Sequence, residues 1–204
     1  RRPYIILKWA QSADGYIDKN RAERTDGPAV RFSTDETSMS VHRLRALSDA
    51  ILVRRRTASL DNPSLTTRLW PGKSPLRVVI DRKGILDLGL KIFDGTTKTA
   101  VFTDVFRDFG ETDNIKQIPL SPLQDILQQV IEQLYANKIQ RLLVEGGSRL
   151  LQSFIDHGLW DEAFIEEAPF CLGNGVKAPV LGNAYPKEGI SRFGHRIWHF
   201  LQEK

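Results

Sequence analysis

The stretch from residue 141 to residue 158 constrains the fold of this chain more than any other. Residues 141–145 (RLLVE) form a short apolar run that reads as a strand. Gly146-Gly147 follows, and residues 148–157 read as a helix that Gly158 is placed to cap. A strand that hands over to a helix is the repeating joint of α/β domains with a mainly parallel sheet. It leaves the amides of Gly147, Ser148 and Arg149 at the positive end of the helix, a cradle for an anion, and glycines let a pyrophosphate approach the backbone closely. The same spacing fits a tight turn with no ligand, and it is not the six-residue glycine pattern of Rossmann domains. Glu145 stands at the carboxyl end of the strand, where open α/β sheets place their ligands. It reads either as a salt-bridged strand end or as an acceptor for paired N–H groups of a pyrimidine or pterin ring.

The remaining elements agree with that joint. Residues 4–10 read as a strand closed by the polar stretch 11–15. Ser33-Thr34-Asp35-Glu36 fits a capping box opening a helix to about Leu47, with Val41, Leu44 and Leu47 on its inner face. Residues 50–53, 76–80 and 99–103 are short apolar runs expected of strands buried on both faces. The clearest helix signal starts at Ser121 with Pro122 in its first turn, and Leu123, Ile126, Leu127, Val130, Ile131 and Leu134 follow the helical period. Residues 162–166 read as a further strand, and residues 192–201 alternate as a late antiparallel pair would. The polar loop 18–28 is the segment expected to be mobile.

At 204 residues with 41% hydrophobic positions, the chain suits one compact domain. No run approaches the roughly 18 apolar residues of a membrane helix, and no signal-peptide pattern opens the chain, so a cytoplasmic protein is expected. The lone Cys171 excludes an internal disulfide and a multi-thiolate zinc site, and reads as a small buried apolar side chain. His195 and His199 share a ligand-like spacing, but in a segment that reads as strand, so no metal is expected. The net charge of +4 and the run Arg54-Arg55-Arg56 suggest an anionic partner. With no nucleic-acid motif and no aromatic residues among the arginines, a phosphorylated small molecule explains the charge without nucleic acid. Asp61-Asn62-Pro63-Ser64 reads as a turn, and Arg45 and Arg68 taken singly read as solvated surface residues. The chain opens Arg1-Arg2-Pro3 without a methionine, as a piece of a longer protein would.

In order along the chain stand Arg2-Pro3-Tyr4, Lys8, Ser12-Ala13-Asp14-Gly15, Leu44-Arg45-Ala46, Ser48-Asp49-Ala50, Thr57, Asp61-Asn62-Pro63, Leu65-Thr66, Arg68, Val79-Ile80-Asp81 and Glu145-Gly146-Gly147. This series resembles the bacterial riboflavin-biosynthesis reductase domain over nearly the whole chain. The resemblance implies a dihydrofolate-reductase-like α/β fold: one domain over residues 1–204, a mostly parallel central sheet with an antiparallel edge, and helices on both faces. It implies NADPH as cofactor, a phosphorylated pyrimidine as substrate, a homodimer, and a deaminase domain linked in the full-length protein. The deaminase's His-x-Glu and Pro-Cys-x-x-Cys zinc motifs do not occur here, so this chain is expected to reduce and not to deaminate.

By motif, Ala10, Thr57, Asp61 and Gly147, Ser148, Arg149, Leu150, Leu151, Gln152 and Ser153 correspond to positions lining the NADPH site. Ala29, Arg45, Leu65, Arg68 and Glu145 correspond to substrate positions, the arginines suiting a ribose 5-phosphate and the glutamate the pyrimidine. Arg82 is expected near the adenosine 2′-phosphate. Two positions depart from the family: Arg54 stands where relatives have a small residue, and Arg31 where many have a tryptophan near the cofactor. The implied reaction is hydride transfer to C1 of the ring-opened ribose. Glu145 orients the pyrimidine, and Lys8 or Asp61 is the candidate proton donor. A dihydrofolate reductase or another reductase of this fold, and a non-catalytic nucleotide-binding domain, are the competing readings.

Overall fold

A computed structural model describes residues 1–110, 112–182, 184 and 186–202. Its centre is a nine-stranded sheet in the order β10-β11-β8-β1-β7-β3-β4-β5-β6. β1 (Tyr4–Ser12) lies between β7 (Arg141–Val144) and β8 (Glu162–Ala168), parallel to both. β3 (Ala50–Arg54), β4 (Leu76–Ile80), β5 (Thr99–Thr103) and β6 (Ile115–Pro119) continue the parallel sheet on the β7 side. On the other side β11 (His195–Leu201) runs antiparallel to β8, and β10 (Pro186–Arg192) antiparallel to β11. The parallel sheet with an antiparallel edge is therefore as the strand pattern predicts.

The apolar runs are buried on both faces because helices cover both. Ile5, Leu7, Leu52, Val78, Leu142 and Val144 pack against α3 (Ile126–Ala136) and α4 (Ser148–Asp156). The alternate residues Ile6, Ile51, Val53, Val79 and Leu143 pack with Ala58 of α2 (Arg55–Asp61), with Leu44 of α1 (Asp35–Ala46), and with Leu65, Leu86 and Leu90 from connecting loops. This is the two-faced burial that gives parallel strands their unbroken apolar runs. A short ribbon of β2 (Tyr16–Asp18) and β9 (Val176–Lys177) stands off the main sheet. No helix among the described residues is long and apolar enough to cross a membrane.

Several expectations need correction. α1 is capped by Thr34, whose hydroxyl accepts from the Thr37 amide at 3.1 Å, and the expected Ser33 instead turns its hydroxyl to Glu166. Leu47, expected on the inner face, is the exposed residue that ends the helix. α3 begins at Ile126 behind an Asp125 cap, five residues after Ser121-Pro122, and Leu123 is 92% exposed. The aspartate side chain satisfies the Gln128 amide, a stronger start than a proline whose turn is never continued. Cys171 is exposed, not buried. The loop expected to be mobile is tied at its middle: Arg21, 3% exposed, pairs with Asp18 and Asp61 and donates to the carbonyls of Leu60 and Gly27. α2, β2, β6, β9 and β10 went unread; α2 takes in the last two arginines of the basic run and the mixed stretch Thr57–Asp61 after it.

Candidate functional site

The carboxyl ends of β1, β7, β3 and β4 lie side by side, and a cleft of about 1060 Å³ opens above them. Ala10, Ile80 and Glu145 come from the strand ends, while Thr57, Leu60 and Asp61 come from α2. Gly147, Ser148 and Arg149 enter from the start of α4, and Ile17 and Val176 from the β2–β9 ribbon. The volume is that of a site for a cofactor-sized molecule.

The glycines of the strand-to-helix joint have separate jobs. A side chain on Gly146 would collide with the Val53 backbone, its Cβ falling 2.8 Å from Val53 Cα. Gly146 therefore lets the joint press against β3. Gly147 has φ 54° and ψ 137°, a conformation that L side chains rarely adopt, and a Cβ there would come within 3.0 Å of Thr57 Oγ1 at the cleft wall. No side chain caps α4. Its first turn carries Arg149 and lines the same cleft as Arg54, Arg55, Arg56 and Lys83, and among the described residues none of the five is in an ion pair with a carboxylate. A helix start plus unneutralised cations is an anion site.

Glu145 is held where β7 ends, its amide donating to Leu52 O of β3 at 3.2 Å. Its carboxylate takes a two-pronged grip from Arg45 of α1, Nε to Oε1 at 2.9 Å and Nη2 to Oε2 at 2.6 Å. Burial works to raise the Glu145 pKa, but Arg45, then Lys8 and His42, outweigh it and hold the group below its ordinary value. Lys8, on β1, lines the cleft next to it. Burial pushes the Lys8 ammonium below its ordinary pKa, against the opposing pull of Glu166 and Glu145. His42 is buried beneath Arg45, accepting from the Arg68 amide at Nδ1 (2.9 Å); burial, then Arg45 and Arg68, lower its pKa to about 4.

Of the residues singled out from sequence, the cleft brings together Ala10, Ala29, Thr57, Asp61, Arg82, Glu145, Gly147, Ser148, Arg149, Leu150 and Leu151. Leu150 and Leu151 are also core residues. Arg82 is committed to Asp104, at 2.8 Å from Nε. The others lie elsewhere. Arg31 faces outward and pairs with Asp35, four residues on at the start of α1. Leu65 is 3% exposed in the core below the site, with φ 54°. Arg45 is spent on Glu145 and is not free at the cleft wall. Arg68 is exposed, its guanidinium on Thr66 Oγ1 at 2.8 Å. Gln152 bonds Asp156 and Val180, and Ser153 bonds the Arg149 carbonyl, both within or behind α4. Arg21 and Glu166 were missed: each is a lone charge in a polar or strand-like stretch, and each has partners 40 residues or more away in sequence, Asp61 for Arg21 and Ser33 and Thr37 for Glu166.

Comparison with known proteins places this arrangement. Residues 3–192 match the family described as the RibD C-terminal domain. The riboflavin biosynthesis protein RibD of Aquifex aeolicus is 32% identical over 184 residues, covering 89% of this chain and 50% of the relative. The chain thus spans about half the length of the bacterial relatives it matches. A 2,5-diamino-6-ribosylamino-4(3H)-pyrimidinone 5′-phosphate reductase of Archaeoglobus fulgidus is 32% identical over 214 residues, covering 95% of this chain and 94% of the relative. The crystal structure of a diaminohydroxyphosphoribosylaminopyrimidine deaminase/5-amino-6-(5-phosphoribosylamino)uracil reductase from Thermotoga maritima superposes with a TM-score of 0.82 at 28% identity, over 98% of this chain and 56% of that one.

Proposed function

The chain belongs to the RibD C-terminal domain family, and on that premise we propose that it reduces 5-amino-6-(5-phosphoribosylamino)uracil to its ribitylamino form with NADPH, in riboflavin biosynthesis. The dihydrofolate-reductase-like fold goes with the family. The observation that carries the reading is the meeting of a partly buried carboxylate, a partly buried lysine and an uncapped, arginine-rimmed helix start in one cleft. The last of these fits a dinucleotide: Gly147 leaves open the space a Cβ would fill beside Thr57, and unpaired cations stand ready for phosphates. Gly147, Ser148 and Arg149 would hold the pyrophosphate, Thr57 and Asp61 the adjoining wall, and Arg54 or Arg55 a 2′-phosphate, since Arg82 is already paired with Asp104. When bound, the reduced nicotinamide supplies a hydride.

The chain's own residues position the substrate and manage one proton. Glu145, kept ionised, can only accept hydrogen bonds, so it selects an N–H edge of the pyrimidine. Substrate must share it with Arg45. Arg68, which lies outside the cleft beside Arg45's partner Thr66 and is in no ion pair among the described residues, is the guanidinium offered to the ribose phosphate. In the ring-opened sugar, C1 is doubly bonded to the exocyclic nitrogen; C1 gains the hydride and the nitrogen a proton, leaving a C1–N single bond and no other change. Lys8 suits that donation better than Asp61, because its burial lowers the cost of releasing a proton, whereas Asp61 is locked to Arg21.

We extend the proposal to a deaminase unit joined to this domain, supported by the length of the bacterial relatives, and to a cytoplasmic homodimer, supported by the family resemblance. The archaeal relative, covered almost end to end, is named for the 2-amino substrate and favours a second reading in which reduction precedes deamination. The test follows NADPH absorbance with three substrates: the uracil, the 2,5-diaminopyrimidinone and dihydrofolate. Oxidation with the uracil supports the first reading, with the diaminopyrimidinone the second, and with dihydrofolate alone neither.

A further inference from the structure

Behind Lys8 lies a second buried carboxylate that the proposed reaction does not use. Glu166 is 3% exposed on β8, opposite Ala10 of β1 in the parallel register, and so diagonal to Lys8 on the same face of the sheet. Four separate elements converge on it. Ser33 Oγ donates to Oε2 at 2.5 Å, and Thr37 Oγ1 of α1 to Oε1 at 2.6 Å. His195 Nδ1, at the start of β11, is 2.8 Å from Oε1, and Lys8 Nζ is 3.8 Å from Oε2. A small cavity of about 90 Å³ lies on the far side, lined by apolar residues of α1, β8 and the β10–β11 hairpin and by Lys8, Thr37 and Glu166 of the cluster itself.

Arg45, Glu145, Lys8 and Glu166 thus form a row of alternating charge, partly buried along its length and fully buried at Glu166. The row has a working end and a fixed end. Glu145 is neutralised by Arg45 in the free protein, and its remaining acceptor capacity goes to the pyrimidine during turnover. The carboxylate left to balance Lys8 at that moment is Glu166. A buried cation without a counter-charge sheds its proton, and an unprotonated Lys8 has nothing to donate.

We propose that Glu166 is the positioning residue for Lys8, fixing its ammonium at the cleft and keeping it protonated until the substrate nitrogen takes the proton. This rests on Lys8 as the donor. The other charges facing Lys8 act in known directions: Arg45, from α1, opposes its protonation, and Glu145, from the end of β7, favours it. His42, from α1, reaches it only through Glu145, and Arg192, at the end of β10, borders the same small cavity. His195 acts on Lys8 only through its 2.8 Å bond to Glu166. The hydroxyls of Ser33 and Thr37 hold the carboxylate in place without adding charge.

The experiment measures the pH profile of kcat/KM for the pyrimidine in the unmodified protein, Glu166→Gln and Lys8→Met, with NADPH affinity from tryptophan quenching. In Glu166→Gln the alkaline limb should move down by about one pH unit or more, so that activity falls roughly tenfold at neutral pH and recovers on acidification, with NADPH affinity unchanged. A merely structural role would lower activity equally at every pH. Loss of activity in Lys8→Met together with an unshifted limb in Glu166→Gln overturns the positioning role alone; full activity in Lys8→Met overturns the donor reading beneath it. If Glu166→Gln does not fold, Glu166→Asp carries the test: with the charge kept but drawn back by one methylene, the limb should shift in the same direction by less, and an unmoved limb refutes the inference.

Discussion

Replacing Gly146 by alanine tests whether the joint between β7 and α4 is as tightly seated as its contacts indicate. The new Cβ would lie 2.8, 2.9 and 3.0 Å from Val53 Cα, Cβ and Cγ1, and the first of these is main chain that no rotamer change can move aside. Ordinary contact begins at 3.4 Å, so β3 and the joint must part by 0.6 Å. The bond that joins them there, Glu145 N to Leu52 O, is already 3.2 Å long, and the same displacement takes it beyond the roughly 3.5 Å limit of a hydrogen bond. Overpacking of about 1–3 kcal/mol and a lost hydrogen bond of about 1 kcal/mol give a total near 2–4 kcal/mol. For a chain of this size that lowers the melting temperature by about 4–16 °C. Because Glu145 and Gly147 flank the position, both the pyrimidine KM and the NADPH affinity should worsen. Thermal melts and urea titrations read the first effect, and quenching of Trp9 by NADPH the second. An alanine variant with unchanged melting and unchanged affinity would show that the joint has slack the contact distances deny.

Three further outcomes are expected. Glu145→Gln should cut turnover at least tenfold, beyond what its loss of stability accounts for, since the amide keeps one of the two acceptors that Arg45 uses; equal turnover removes Glu145 from the mechanism. His42 has a pKa lowered from 6.5 to about 4 in the folded protein, so the unfolded chain binds its proton first as pH falls, and stability should drop through the window from 6.5 to 4. His42→Asn, which keeps an acceptor for the Arg68 amide, should flatten that drop in urea titrations, and an unaltered slope would assign the acid loss to other groups. Arg77, 1% exposed, donates to Thr99 Oγ1, the carbonyls of Lys91 and Thr97, and Asp94. Arg77→Met strands those acceptors and should cost about 3 kcal/mol, yet leave activity per folded molecule intact because the residue is remote from the cleft.

What could be read from the sequence follows physical range. Apolar runs such as residues 76–80 and 99–103 declare themselves because burial on both faces needs nothing but continuity of side-chain type. The joint at residues 145–148 was legible for the same local reason. The α3 start was misread because proline at a first turn and proline in a preceding turn look alike until the Asp125 cap is seen. α2 was missed because its arginines serve the cleft and carry no apolar period, with Ala58 alone buried. Motif resemblance placed Arg45 and Glu145 in one site but could not show that they grip each other, since the contact spans 100 residues. Arg31 shows the converse: a position can match while its side chain turns to a local partner, Asp35.

The placement of β1 between β7 and β8 has a consequence for how the chain assembles. The first strand synthesised finds neither of its neighbours until residues 141–168 have been made, and the contacts that complete the site join Lys8 to Glu166 and Arg45 to Glu145. Contacts so distant in sequence slow folding and leave an apolar strand waiting for its pairing edges. On the proposed function, NADPH oxidation reports on the last stage of folding, and a refolding experiment that tracks helix content and activity together should see the helices return first.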